Sequence, residues 1–255
     1  MGSVNVRLDI AYDGTDFAGW QIQENGRTVQ EVIQEALKKI HNEEIIITAA
    51  GRTDSGVHAR EQVVNFKIDN KSLSAEKYKD AINYYLPEDV RILKSRIVED
   101  DFNARFSARI RVYRYYIYCS QKPYPHYRKY CYWIRYKPDI IRLNRISAVL
   151  LGEHDFSTFA ASGDSSNSKI KKVLSSCFYI EGPFIVFKIA AGSYLYKMVR
   201  SIVGTILQLE KNNLGEKEMI KILKFRNRQN AGKTAPPRGL FLDKVVYEGE
   251  KHIIY

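Results

Sequence analysis

From Val4 to Asp13 apolar and polar residues alternate, placing Val4, Val6, Leu8 and Ile10 on one side. A period of two predicts a strand with one buried face. It closes on the turn-forming run Tyr12-Asp13-Gly14-Thr15. The period then lengthens. Val29, Val32, Ile33, Ala36, Leu37 and Ile40 recur at helical spacing behind Thr28, with Glu31 three residues on. That pair predicts a capping box, each side chain satisfying a free backbone N–H of the first turn. Short strands are expected at Ile45–Thr48 and Val63–Ile68, joined by the loop Gly51-Arg52-Thr53-Asp54-Ser55-Gly56-Val57-His58-Ala59. Ser74 to Leu86 reads as a helix stopped by Pro87, and Arg91–Val98 and Arg109–Cys119 read as strands.

Residues 120–138 carry Pro123, Pro125 and Pro138 and show neither period. This stretch is the natural boundary between an N-terminal half, 1–120, and a C-terminal half, 121–255. In the second half a short helix is expected over Leu143–Leu151, followed by a mobile Ser- and Lys-rich loop from Ala161 to Lys172. Strands Val173–Glu181 and Phe184–Ala191 flank a Gly182-Pro183 turn; Ser193 is placed to cap a helix running to about Gln208. Glu216–Phe225 reads as a helix, and Pro236-Pro237-Arg238-Gly239 leads into a last strand, Leu240–Tyr247. Each half has strands, then helix, with hairpin-like returns. The pattern predicts an α+β fold with a mixed, mostly antiparallel sheet.

Composition narrows the function. The 255 residues include 40 Lys and Arg against 29 Asp and Glu, a formal charge of +11, with 18 Tyr and 11 Phe. A basic surface concentrates polyanions, and rings among cations suit stacked bases. The same features also serve solubility and core filling. Cys119, Cys131 and Cys177 have neither metal nor redox spacing, and an odd number argues against a disulfide framework. His41, His58, His126, His154 and His252 lack zinc spacing, and no glycine-rich phosphate loop occurs. No run reaches the ~18 apolar residues of a membrane span, and the N-terminus lacks the layout of a signal peptide. A cytoplasmic protein with no metal and no membrane partner is expected.

Three constellations carry candidate chemistry. The first is Asp54, between Arg52 and His58 in a glycine-flanked loop. A carboxylate among phosphates is repelled, so it persists there only with a task. With no further carboxylates beside it, a magnesium site is poorly supported. Two readings stand: a reactive acid held ionised by an arginine, or an Asp that caps its own turn. The second is Arg109, Arg111, Tyr113 and Tyr115, which share one face of a strand. They would offer phosphate contacts beside a ring for a base, or simply form an amphipathic edge strand. In the third, Met198, Val199, Ile202, Val203 and Ile206 form a buried helical stripe, with Lys197, Arg200 and Gly204 on another side. Gly204 costs ~1 kcal/mol against Ala in a helix interior, which implies a packing or approach reason for it. Arg200 is either an ordinary helix charge or the partner of Asp54.

The order of these blocks resembles the tRNA pseudouridine synthase A family along nearly the whole chain. The strongest match is Gly51–Ala59, continued by Gln62-Val63-Val64. Others are Phe17-Ala18-Gly19-Trp20-Gln21, Phe102–Ala108, Tyr113-Arg114-Tyr115, Leu151–Phe156, Met198–Gly204 and Gly239–Leu242. The resemblance implies the pseudouridine synthase fold, two similar halves forming a cleft. It implies an enzyme that isomerises uridine to pseudouridine at positions 38, 39 and 40 of the tRNA anticodon stem-loop, without a cofactor and as a homodimer. By the same resemblance Asp54 is the catalytic acid, Tyr113 stacks on the target base, Arg200 pairs with the acid, Arg52 enters the RNA helix when the target flips out, and Leu240 lines the base pocket. Arg109, Arg111 and Lys197 are further expected RNA contacts. The chain departs from the usual pattern at Ser55, where Ala is common, at Ile22, where a basic residue is common, and at Lys197, where His is common.

Overall fold

A computed structural model of the chain describes residues 3–69 and 73–250; His252 lies outside them. The elements run β1 (Val4–Tyr12), α1 (Val29–His41), β2 (Thr48–Ala49), β3 (His58–Ile68), α2 (Ala75–Tyr85), β4 (Val90–Val98), β5 (Ile110–Cys119), β6 (Tyr132–Ile134), α3 (Ile140–Ala148), β7 (Gly152–Asp155), β8 (Ile170–Glu181), β9 (Phe184–Ala191), α4 (Met198–Lys211), α5 (Glu216–Phe225) and β10 (Leu240–Val246). Short 3₁₀ turns sit at Pro125–Tyr127, Ser157–Phe159, Arg228–Asn230 and Pro237–Gly239. The class is α+β. No described helix is long and apolar enough to cross a membrane.

The chain divides into two compact units. One holds Met1–Arg109 and Phe241–Glu250, the other Ile110–Leu240. The chain therefore returns to its first unit near the C-terminus, a crossing that proline content does not reveal.

In the first unit the strand order is β4-β1-β3-β10, with β2 also on β3. The pairings of β1 with β3, β1 with β4 and β2 with β3 are antiparallel, and β10 pairs with β3 in parallel. The capping box of α1 is present, Thr28 Oγ1 accepting from Glu31 N and Glu31 Oε2 from Thr28 N. Its face Val29, Ile33, Ala36 and Leu37 is buried. Tyr78 of α2 meets Phe66 of β3 edge to face at 5.5 Å, so the helices cover the Val6–Leu8–Ile10 side.

The expected polar face of β1 is also buried. Asn5, Arg7 and Asp9 lie in the interior, where residues 99–104 and 247–250 cover them. Burying these groups without partners would cost several kcal/mol, and each has partners. Asn5 donates to Glu99 O and Phe102 O at 2.9 Å and accepts from Asn65. Arg7 bonds Asp9 at 2.8 Å and Glu250 at 2.7 Å, and its guanidinium lies 4.4 Å from the Tyr247 ring centroid. Asn103, in the Phe102–Ala108 block, accepts from Arg105 N and Phe106 N. That block closes this face of the sheet.

In the second unit the order is β5-β9-β8-β7, with β6 on β5. The main ladders are antiparallel and β6 is parallel to β5. Helix α3 starts earlier than its apolar period suggests, because Asp139 caps it by accepting from Ile141 N and Arg142 N. Its Asn144 exchanges hydrogen bonds with Phe178 N and O at 2.8 and 2.9 Å, which satisfies part of the β8 edge that β7 leaves open.

Ser193 does not cap α4. Residues 192–197 form a loop, and the N-cap is Lys197 with a left-handed backbone, φ 58°. The Ser- and Lys-rich segment is shorter than expected, since β8 begins at Ile170. Of the two reasons open for Gly204, packing or approach, the structure shows a close approach. A methyl there would sit 1.8 Å from the Lys233 carbonyl oxygen.

Candidate active site

The candidate residues fall in both units. In the first, Asp54 and Arg52 occupy the loop between β2 and β3. Asp54 is half-buried and Arg52 is exposed. The loop is held from several directions. Trp20 N donates to Thr53 O at 3.1 Å, Gly56 N to Phe17 O at 3.3 Å, and Gln62 Nε2 to Gly51 O at 2.8 Å. The Tyr12 and Thr53 hydroxyls share a hydrogen bond of 2.8 Å. Val57 N closes the turn on Asp54 O at 3.1 Å. At its base, His58 is fully buried and stacks on Phe241 at 4.5 Å.

Gly19 shows how closely the neighbouring loop is laid against this one. Its φ is +113°, and a Cβ would come within 2.9 Å of Thr53 O and 3.1 Å of Ser55 N. Both the conformation and the space therefore favour glycine. The blocks around Tyr12, Phe17–Gln21 and Gln62 thus share one local purpose, fixing the backbone that presents Asp54. Sequence reasoning quoted these blocks without assigning them that role.

In the second unit, Tyr113 lies on β5 and is 9% exposed. Tyr194, from the loop before α4, meets it edge to face at 5.0 Å and 85°. The Tyr194 hydroxyl is within hydrogen-bond distance of Arg111 O at 3.0 Å and Ile189 O at 3.1 Å. Burial of the phenol group, with Tyr113 beside it, raises its pKa well above the usual phenol value. Tyr194 therefore stays a protonated donor that braces the ring of Tyr113. Arg111 donates to Gly192 O at 2.5 Å, tying the same loop to β5.

Arg200 sits in the first turn of α4. Its Nε donates to Ala235 O at 2.9 Å, while Ala235 N donates to Arg200 O at 3.0 Å. This two-way clamp fixes both backbone and side chain, and no motif in the sequence points to it. Lys197, at the head of α4, has its ammonium 4.7 Å from the Tyr196 ring centroid. Leu240 is buried, after a turn that runs across Tyr115. The Tyr115 hydroxyl donates to Pro236 O at 2.8 Å.

Tyr115 is thus a structural member of its strand face, and Arg109 lies one residue ahead of the strand. Arg109 precedes β5 and pairs with Glu248 at 2.7 Å. In the loop after Ala161, Lys169 is held by Asp164, which also accepts from the N–H groups of Ser166 and Tyr196. Burial opposes ionisation of Asp164, but the Lys169 ammonium and these N–H groups outweigh it and lower its pKa to about 2. Among the described residues no group of three or more His, Cys, Asp or Glu is placed to hold a metal ion.

Sequence comparison decides the family. The profile described as tRNA pseudouridine synthase matches residues 10–107 and 146–248. This chain belongs to the tRNA pseudouridine synthase family. A Treponema denticola protein named tRNA pseudouridine synthase A is 44% identical over 248 residues, covering 95% of this chain and 92% of its own. Proteins of the same name from Thermoanaerobacter sp. and Borrelia duttonii are each 44% identical over 243 residues, 95% of this chain and 99% of theirs. The family match spans both the Asp54 loop and the Arg200 helix. It omits residues 108–145, which include Tyr113.

Proposed function

We propose that this protein is a tRNA pseudouridine synthase acting on uridines 38, 39 and 40 of the anticodon stem-loop. Asp54 is the reactive acid. The observation that carries the reading is the Asp54 loop itself, a half-buried carboxylate on a backbone clamped by three separate sequence blocks. Held geometry of this kind is what a positioned nucleophile or base requires.

The reaction is an isomerisation. The N1–C1′ bond of uridine breaks, the ring turns, a C5–C1′ bond forms, the C5 proton leaves and N1 gains a proton. Atoms balance with no oxidant or second substrate. Asp54 assists cleavage of the glycosidic bond, and Arg200 is its partner in that step. Tyr113 stacks on the uracil, and its phenol assists loss of the C5 proton. Leu240 lines the base pocket. The target must leave its stack at a cost of a few kcal/mol, and the exposed Arg52 fills the space it vacates. Arg111 and Lys197 contact phosphates, as does Arg109 when it exchanges Glu248 for RNA. The enzyme acts as a cytoplasmic homodimer, and no cofactor takes part.

Incubation of unmodified tRNA with the purified protein, followed by mapping of pseudouridine, tests this reading. Modification confined to positions 38–40 is expected. Modification elsewhere, or none, would overturn it.

A further inference from the structure

The connection from β5 to β6 and on to α3 is unusual in composition. Residues 120–138 contain Lys122, Arg128, Lys129, Arg135 and Lys137, six aromatic residues and no carboxylate. With Tyr118 and Arg238, this segment lines a solvent-open hollow of about 100 Å³. Tyr118, Tyr124, Tyr127 and Trp133 line it, with Arg128 and Arg238.

The walls are fixed. Tyr127 meets Tyr118 edge to face at 5.1 Å and Phe184 at 4.9 Å. Trp133 Nε1 donates to Ser120 O at 2.8 Å, and the Arg135 guanidinium lies 5.2 Å from the Trp133 ring centroid. Arg238 Nε donates to Cys131 O at 3.2 Å. Tyr124 and Tyr127 stand 5.6 Å apart, tilted by 30°, which leaves no room for a third ring between them. Yet Tyr124 is 55% exposed. An aromatic ring held at the mouth of a cationic hollow presents a flat apolar face to whatever enters.

We infer that this hollow is a second RNA subsite, which takes one unpaired nucleotide of tRNA. The base stacks on Tyr124 beside Trp133, and the flanking phosphate meets Arg128 and Arg238. A flat base satisfies the rings, and a phosphodiester satisfies a segment with no negative charge of its own. The subsite rests on the reading of this chain as a tRNA-acting enzyme. It uses no residue of the Asp54 loop.

Tyr124→Ala, Tyr124→Phe and Arg128→Ala, each checked for unchanged thermal unfolding, test it with full-length unmodified tRNA. Tyr124→Ala is expected to weaken tRNA binding and raise KM on the order of tenfold, with kcat unchanged. Tyr124→Phe keeps the ring and should bind as wild type does. Arg128→Ala should lower the salt dependence of binding by about one counterion. Wild-type affinity in Tyr124→Ala, or an equal loss in Tyr124→Phe, overturns the subsite. Binding is measured apart from modification, so a failed subsite and a failed catalytic reading give different results.

Discussion

Replacing Gly204 by Ala sets two effects against each other. By helix propensity alone the change stabilises α4 by ~1 kcal/mol. The new methyl would lie 1.8 Å from Lys233 O, where ordinary contact begins at 3.4 Å, so the 233–235 segment must retreat by about 1.6 Å (3.4 − 1.8). The obstacle is backbone, and no side-chain rotation relieves it. The retreat strains three hydrogen bonds: Ala235 N to Arg200 O, Arg200 Nε to Ala235 O, and Gly232 N to Thr205 Oγ1. At ~1 kcal/mol each, with ~1–3 kcal/mol for overpacking and the propensity gain subtracted, the net loss is about 3–5 kcal/mol. Urea unfolding followed by circular dichroism reads this directly as a lower midpoint. Because the same segment clamps Arg200, residual folded Gly204→Ala should also turn over more slowly at saturating tRNA. A midpoint equal to or above wild type would refute the reasoning, since propensity would then outweigh the contact.

Arg200→Ala should lower kcat by roughly 10²-fold or more while tRNA binding and unfolding change little; loss of folding with no specific rate effect would make it a structural charge. Tyr113→Phe should bind tRNA normally and lose turnover, whereas normal turnover would mean that only the ring matters. Asp164→Asn tests the loop before β8. The folded pKa of Asp164, about 2, lies below its ordinary value of 3.8, so its stabilisation is present above that value and is lost as pH falls through about 2. At neutral pH the substitution should cost about 2 kcal/mol, and the gap from wild type in urea unfolding should close as pH falls from about 4 to 2; a gap independent of pH would contradict this.

Elements that depend on local pattern were legible in the chain. The capping box of α1, the strands β1, β4, β5 and β9 and the stop at Pro87 all follow from neighbours in sequence. What depends on distant partners was not. The second face of β1 reads as solvent-facing because Arg7 and Asp9 are polar, yet residues beyond position 98 cover it. Ser193 is a good cap residue in isolation, but the loop holding Tyr194 against Tyr113 postpones the helix to Met198. Asp54 stood out by its setting and by resemblance. The supports around it, such as Tyr12 on Thr53 and Gln62 on Gly51, require knowing which loops meet, and the Ala235 clamp on Arg200 leaves no signal in residue type.

Tritium release from tRNA labelled at uridine C5 tests the central claim most directly, with wild type compared against Asp54→Asn. The substitution is nearly isosteric and leaves the backbone contacts of the loop in place. The account predicts no release by Asp54→Asn while its affinity for tRNA stays close to wild type. Release at the wild-type rate would show that the carboxylate is not the reactive group.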